Sequence, residues 1–268
     1  MAHSEAVTVS LFGARAWQGP ARALRDGASG VLVALDFDGT LVPVVAEPHD
    51  LRVRPAVLRL LRRAAALRGV TIAVVSARRR RDLARLLPVP RLRFAAHYGL
   101  EGALAPPAGM RRRYRAAARR ILRMLAPLEG AFPGAAVEDK GLTVSIHDRR
   151  VVTPRDQRAL RRDVARIARA ARELGFHAAR GSRVTEFVPH GYDKGEALAL
   201  LRDRTGAGRV FYFGDSDADE AAFARLRQED FGVRVGPGST KARYRVRDPD
   251  DVARFLDALI SIRTESAR

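Results

Sequence analysis

Asp36 and Asp38 stand two residues apart in Val31-Leu-Val-Ala-Leu-Asp-Phe-Asp-Gly-Thr-Leu41, directly after an apolar run. A carboxylate can attack phosphorus and carry the phosphoryl group as an aspartyl phosphate. Two acids this close repel unless a cation or a shared proton sits between them. The run before them, rich in Val and Leu, has the pattern of a strand buried on both faces in a parallel sheet. Side chains alternate at period two, so both acids point the same way at the carboxyl end of the sheet, where open α/β folds place ligands. Gly39 allows a sharp turn, and Thr40 adds a hydroxyl.

Three further motifs suit phosphoryl chemistry. Ser76 ends the apolar run Val70–Val75 and opens a helical pattern, so its hydroxyl and nearby backbone N–H groups can hold a phosphate oxygen. Asp193-Lys-Gly-Glu196 reads as a capped helix start. Lys194 there is one of only three lysines, and a compact ammonium suits a phosphate as a point charge. Gly214-Asp-Ser-Asp-Ala-Asp-Glu220 follows the strand pattern Arg209–Phe213. Its spacing fails a calcium loop, which needs Gly at the sixth position and Glu at the twelfth. A strand-end acid cluster suits Mg²⁺ instead, with Asp215 and Asp219 the chief contributors beside Asp36 and Asp38.

The elements that must position these residues alternate between strand and helix. Strands are expected at 31–35, 70–75, 92–96, 209–213 and 231–235. Helices are expected from about 55, at 78–87, from 194, after 219 and at 249–261, with a polar loop at 43–53. Such alternation implies right-handed crossovers and an α/β fold: a Rossmann-like parallel sheet with helices on both faces. The middle differs. A helix at 112–126 is followed by the breakers Pro127, Gly130, Pro133 and Gly134 and by short strands at 136–139 and 142–146. A helix at 154–173 leads to strands at 176–180 and 183–188 joined through Gly181-Ser182. This ββαββ-like block with hairpins reads as an inserted α+β cap domain. The expected organisation is an N-terminal extension (1–29), a catalytic core (30–104 and 190–268) and a cap (105–189), with hinges near Pro106-Pro107 and Pro189–Gly191.

Composition adds bounds. The formal net charge is +19, yet nearly all the basic residues are arginines scattered over helical segments without interleaved aromatics. No nucleic-acid motif accompanies them, and a nucleic-acid partner is not expected. The absence of cysteine excludes disulfides, thiolate metal sites and thiol nucleophiles. No apolar stretch approaches membrane-spanning length, and the first 29 residues lack the continuous apolar core of a secretory signal. A cytoplasmic location and no membrane partner are the expectation.

Asp-x-Asp-Gly-Thr, strand-end Ser76, helix-opening Lys194 and Gly-Asp-x-x-x-Asp occur in the order used by the haloacid-dehalogenase-like phosphatases. Over residues 30–260 the chain most resembles the trehalose-6-phosphate phosphatases of that superfamily, which carry a sheet-type cap. The resemblance is carried by His97-Tyr-Gly-Leu-Glu101, Val137-Glu-Asp-Lys140 with His147 and Arg149, Glu186-Phe-Val-Pro, Asp193-Lys-Gly and Phe231-Gly-Val-Arg-Val-Gly236. It implies a small sugar phosphate as substrate, Mg²⁺ as cofactor, Asp36 as nucleophile and Asp38 as acid and base. It also implies Thr40, Ser76 and Lys194 at the phosphate, and Glu138, Lys140, Glu186, His147 and Arg149 at the sugar. The chain departs from the pattern at Ala77, Ser216, Ala218 and Asp148. Other readings stay open: a phosphatase for sucrose 6-phosphate or a glucosyl- or mannosyl-phosphoglycerate, a basic nucleic-acid-binding protein, or a weakened regulatory homologue.

Overall fold

The computed structural model describes residues 8–26, 30–44, 51–181 and 183–266. In chain order the elements are β1 (Val9–Ser10), α1 (Gln18–Arg25), β2 (Val31–Leu35), α2 (Pro55–Ala66), β3 (Val70–Ser76), α3 (Arg80–Leu86) and β4 (Arg93–Ala96). Then come α4 (Ala108–Leu125), α5 (Pro127–Ala131), β5 (Ala136–Asp139), β6 (Val144–His147), α6 (Pro154–Glu173), β7 (Phe176–Gly181) and β8 (Val184–Pro189). The chain closes with α7 (Lys194–Thr205), β9 (Arg209–Gly214), α8 (Glu220–Phe223), β10 (Phe231–Val235), β11 (Tyr244–Val246) and α9 (Pro249–Glu265). It divides into two compact units, residues 1–104 with 194–268, and residues 105–193.

The first unit is a seven-stranded, wholly parallel sheet in the order β1-β11-β10-β9-β2-β3-β4. Its central strands β2, β3, β9 and β10 are buried on both sides, and period-two alternation sorts their side chains. Val31, Val33, Leu35, Phe211 and Phe213 join one core with Leu24, Leu61 and Phe255. Leu32, Ala34, Val210 and Tyr212 join the other with Leu198, Leu201 and Phe223. Helices therefore cover both faces, as the alternating pattern implies. Phe213 is fully buried, and truncating it to Ala would cost about 3–5 kcal/mol. The chain runs outward from β2 through β3 to β4, then returns to the other side of β2 as β9. The sheet's switch point thus lies between β2 and β9, where a crevice opens beyond the strand ends.

The second unit is a four-stranded antiparallel sheet, β5-β6-β8-β7. One face packs Val144, Ile146 and Phe187 against Ile121 and Leu125 of α4 and Leu160, Val164 and Ile167 of α6. Helix α6 begins where the sequence signals it: Pro154 fills the first turn and the Thr153 hydroxyl accepts the Asp156 N–H at 3.0 Å.

Several elements differ from expectation. The N-terminal stretch read as an extension supplies β1, which pairs with β11, and Leu11 and Leu24 are fully buried in the core. A two-residue edge strand and an eight-residue helix are too short to show a period in sequence. The three-residue parallel strand β11, which lies between β1 and β10, was not foreseen for the same reason. Helix α3 starts at Arg80 because a distant carboxylate caps it there, and α4 starts at Ala108, behind Pro107. Pro127, expected to break the chain, opens the short helix α5, since proline suits the first helical turn. Of the expected elements, residues 1–7 and 27–29 of the extension, 45–50 of the polar loop and Ser182 of the last hairpin lie outside the described residues.

Candidate active site

The β2–β9 register brings the two acid motifs together. Leu35 pairs with Phe213, and the Asp36 N–H donates to the Phe213 carbonyl at 2.9 Å. Asp36 therefore emerges beside Gly214 and Asp215. Space is tight: at Gly39, which has φ +82°, a Cβ would lie 2.1 Å from the Asp215 carboxylate, and at Gly214 it would lie 2.3 Å from Asp219. No side chain larger than hydrogen fits either position without moving an acid.

Asp36, Asp215 and Asp219 converge, with one oxygen of each within 4.8 Å of the others. Lys194, at the first turn of α7 and 4% exposed, donates to Asp36 Oδ1 at 2.9 Å and to Asp219 Oδ1 at 2.8 Å. Asp219 is anchored on all sides. Tyr212 O–H donates to Oδ1 at 2.7 Å, while the Ser216 N–H and hydroxyl donate to Oδ2 at 2.9 and 2.6 Å. Burial pushes Asp219 up, but Lys194 and these donors outweigh it and hold the acid below the usual carboxylate range. Burial likewise pulls the Lys194 ammonium down, and Asp219 and Asp36 more than reverse it, so the lysine stays charged. Burial raises Asp36 well above its ordinary value, and the charges of Asp219 and Asp215 add to the rise while Lys194 opposes it. Asp215 is raised too, by burial and by Asp219. Tyr212 is raised by burial and then by Asp219, so it remains a donor.

One ammonium against three converging carboxylates leaves negative charge uncompensated. Oδ1 of Asp215 is buried with no hydrogen-bond partner among the described residues. Oxygen donors, excess negative charge and an unsatisfied carboxylate oxygen fit a hard divalent cation such as Mg²⁺. Asp36 and Asp215 are the acids free to hold it, because both Asp219 oxygens are already taken.

The other expected residues fall as follows. The Asp38 carboxylate is not among the converging acids; its two oxygens accept from Arg78 Nε and Nη2, each at 2.7 Å. Ser76 ends β3 beside β2, 2% exposed, its Oγ accepting the Arg78 N–H at 3.1 Å and leaving its own proton to donate. Thr40 is fully buried, and its Oγ1 has no partner among the described residues. In the second unit, Glu138, Ser145 and Glu186 stand in register across β5, β6 and β8, on the face opposite the apolar core. Glu186 accepts from Thr143 Oγ1 at 2.6 Å and from Lys140 Nζ at 3.0 Å. Lys140 also lies 3.9 Å from Glu138, whose Oε2 is 3.1 Å from His147 Nε2. Arg149 sits in an exposed turn beyond β6, outside this row. Sequence reasoning did not assign Arg78, Tyr212 or Thr143. Tyr212 was hidden in an apolar strand run, and Arg78 and Thr143 partner acids some forty residues away.

A parallel sheet with its acids at the switch point, a helix-opening lysine joined to two of them and an inserted antiparallel unit define the fold of the haloacid-dehalogenase-like hydrolases, which solved members share. Residues 34–250 match the family model described as Trehalose-phosphatase, and the chain belongs to that family, whose members are phosphoric monoester hydrolases. It is 31% identical to the trehalose-phosphate phosphatase of Mycobacterium avium, over 97% of this chain and 71% of that one. It is 32% identical to the bifunctional trehalose-6-phosphate synthase/phosphatase of Thermoproteus tenax, over 85% of this chain, and spans only 32% of that relative's length. The solved C-terminal domain of the Candida albicans trehalose-6-phosphate phosphatase shares the fold with a TM-score of 0.80 at 18% identity, covering 95% of this chain and 99% of that one.

Proposed function

We propose that this chain is a Mg²⁺-dependent phosphatase that hydrolyses trehalose 6-phosphate to trehalose and phosphate through an aspartyl phosphate on Asp36. The observation that carries the reading is the Lys194 bridge between Asp36 and Asp219 beside the unpartnered Asp215 oxygen. It aims one carboxylate, fixes a cation next to it and leaves donor atoms for a metal.

The chemistry follows from these residues. Asp36 attacks phosphorus in line, a P–O bond forms to its carboxylate, and the bond to the sugar oxygen breaks. Asp38 gives that departing oxygen a proton, then takes one from the water that hydrolyses the acyl phosphate and regenerates Asp36. Lys194 and the Ser76 hydroxyl hold the negative phosphoryl oxygens, with Thr40 shaping the turn beneath them. Asp36, Asp215 and the Asp38 backbone carbonyl would hold Mg²⁺, which when bound would supply positive charge that lets a phosphate dianion approach the acids. Asp219 holds Lys194. Ser216, which replaces an acid of the family pattern, donates twice to Asp219, so the departure removes a charge without leaving Asp219 short of a partner. Glu138, Lys140, Glu186 and His147 are proposed to read the sugar hydroxyls, donors and acceptors alternating along one sheet face, with Arg149 contributing from the turn beyond β6.

A phosphate-release panel tests the reading: trehalose 6-phosphate, sucrose 6-phosphate, glucosyl- and mannosyl-phosphoglycerate, with Mg²⁺ or with excess chelator. Trehalose 6-phosphate is expected to give the highest kcat/KM, chelator to abolish turnover and Mg²⁺ to restore it. Full activity in chelator sinks the metal assignment, and a higher kcat/KM on another ester sinks the substrate.

A further inference from the structure

His97 and Tyr98 both hold positive φ angles, 53° and 57°, and Gly99 follows at 86°. The left-handed conformation crowds Cβ against the carbonyl, so two successive non-glycine residues in it are strained. Strain of this kind persists only where the surrounding structure over-determines it, and it gathers at functional sites. Both side chains are buried, His97 completely. The turn closes on itself through Leu100 N–H to the His97 carbonyl at 2.9 Å and Glu101 N–H to the Ala96 carbonyl at 3.3 Å.

From this turn two hydrogen bonds reach the loop between β3 and α3. The His97 N–H donates to the Arg78 carbonyl at 2.8 Å. The Glu101 carboxylate accepts the Arg80 N–H at 2.7 Å, capping α3, whose N-cap residue has no side-chain cap of its own. The His97 ring lies 3.5 Å from the other Glu101 oxygen. Its influence, with that of the Arg80 N–H, holds Glu101 below the usual carboxylate range although burial opposes it. Arg78 is thus fixed on both sides, and its guanidinium, 5.3 Å from the Phe37 ring centroid, grips both oxygens of Asp38. The Asp38 side chain is 40% exposed, so little else restrains it.

We propose that Glu101 and the left-handed turn at His97 are positioning residues for Asp38, acting through the Arg78 fork; this rests on the phosphatase reading above. The strained turn places one N–H and one carboxylate where a relaxed turn would not, and together they set the rotamer of the proton-transferring acid.

The test uses two esters of similar size, phenyl phosphate and p-nitrophenyl phosphate. The first has the more basic leaving group and depends more on a well-placed proton donor. Glu101→Ala is expected to lower kcat on phenyl phosphate roughly tenfold to a hundredfold and kcat on p-nitrophenyl phosphate less than about threefold, with KM unchanged for both. Glu101→Gln, which keeps an acceptor for the Arg80 N–H, should recover most of the loss. Arg78→Lys keeps the charge but lacks the fork, should show the same leaving-group-dependent loss, and carries the test should Glu101→Ala fail to fold. Equal losses on both esters, a rise in KM alone, or a Gln variant no better than Ala overturns the inference. An unsubstituted chain that hydrolyses neither ester overturns the phosphatase reading and this inference with it, whereas an active chain with equal losses overturns this inference alone.

Discussion

The two sheets of this chain use polar side chains in opposite ways. In the seven-stranded sheet both faces are covered, so Asp36, Ser76 and Asp215 appear only where a strand runs out, each from a different strand. In the four-stranded sheet one face is free of the apolar core, and Glu138, Ser145 and Glu186 occupy the middles of their strands. Strand order and the β2–β9 register assemble the first group at strand ends, and the β5–β6 and β6–β8 registers assemble the second within strands. The energetics differ as well. Lys194 and its two acids are all nearly fully buried, so losing one partner strands a charge. Glu138 is half-exposed, and its ion pairs are screened by water, although the Lys140–Glu186 pair beside it is nearly buried. On the phosphatase reading proposed above, the parallel sheet carries chemistry that fails outright when altered, and the more exposed edge of the antiparallel sheet carries recognition that can be tuned.

The largest expected effect lies at a strand end. Asp36→Asn keeps shape and hydrogen bonding but removes the attacking charge, so kcat should fall at least about 10⁴-fold while circular dichroism stays native. A variant proven free of deamidation that kept a tenth of the wild-type rate, a loss of only about 1.4 kcal/mol, would rule out covalent catalysis. Next comes Lys194→Met, which leaves the converging acids without their ammonium. Urea unfolding should show a loss of about 3–5 kcal/mol, alongside lost turnover. A stability change under about 1 kcal/mol would mean that the bridge is no more than an exposed ion pair in disguise.

On the antiparallel sheet the effects should be smaller and substrate-selective. Lys140→Ala and Glu186→Ala should each lower kcat/KM for trehalose 6-phosphate roughly tenfold to a hundredfold, the loss of one charge-assisted hydrogen bond of about 1.5–3 kcal/mol. Hydrolysis of p-nitrophenyl phosphate, which carries no sugar, should change little. Equal losses on both substrates would reduce Lys140, Glu186 and Thr143 to a structural network and erase the functional contrast between the sheets.

Legibility in the sequence follows the same division. Buried parallel strands read as unbroken apolar runs, so the positions of Asp36, Ser76 and Asp215 at strand ends were visible from pattern alone, as was the start of α7 at Lys194. What joins them was not. Lys194 meets Asp219 across 25 residues and Arg78 meets Asp38 across 40, and no local period encodes either pairing. On the antiparallel sheet the row Glu138, Ser145, Glu186 depends on the β5–β6 hairpin register and on the long-range β6–β8 pairing at once, so Glu138 and Glu186 reached the sequence reading only through resemblance and Ser145 did not reach it. Thr143, whose hydroxyl donates to Glu186 from just before β6, carried no signal, since an isolated threonine beside a short strand is ordinary. β1 and β11 escaped notice because two or three residues cannot display alternation.

The smallest expected effect is a pH response confined to the antiparallel unit. His177 on β7 stacks against His190 just past β8, with ring centroids 5.6 Å apart and planes at 29°. Burial lowers the His177 pKa, and the charge of His190 lowers it further, while Asp193 opposes both. A histidine whose folded value is depressed favours the neutral form, so the unfolded chain binds more protons over the interval between the two values. The stability it contributes is complete above the unfolded value of about 6.5 and declines as pH falls below it towards the folded value. Protection factors of amides along β7 and β8 of the full chain, taken against the intrinsic exchange rate at each pH, should accordingly fall from pH 7.5 to 5.5, more than those along β2 and β3. His177→Phe keeps the ring stack and removes the titrating group, so it should flatten that dependence. An unchanged pH profile in the variant would show that acid loosens this unit through other groups, the exposed carboxylates of β5 among them, and not through the histidine pair.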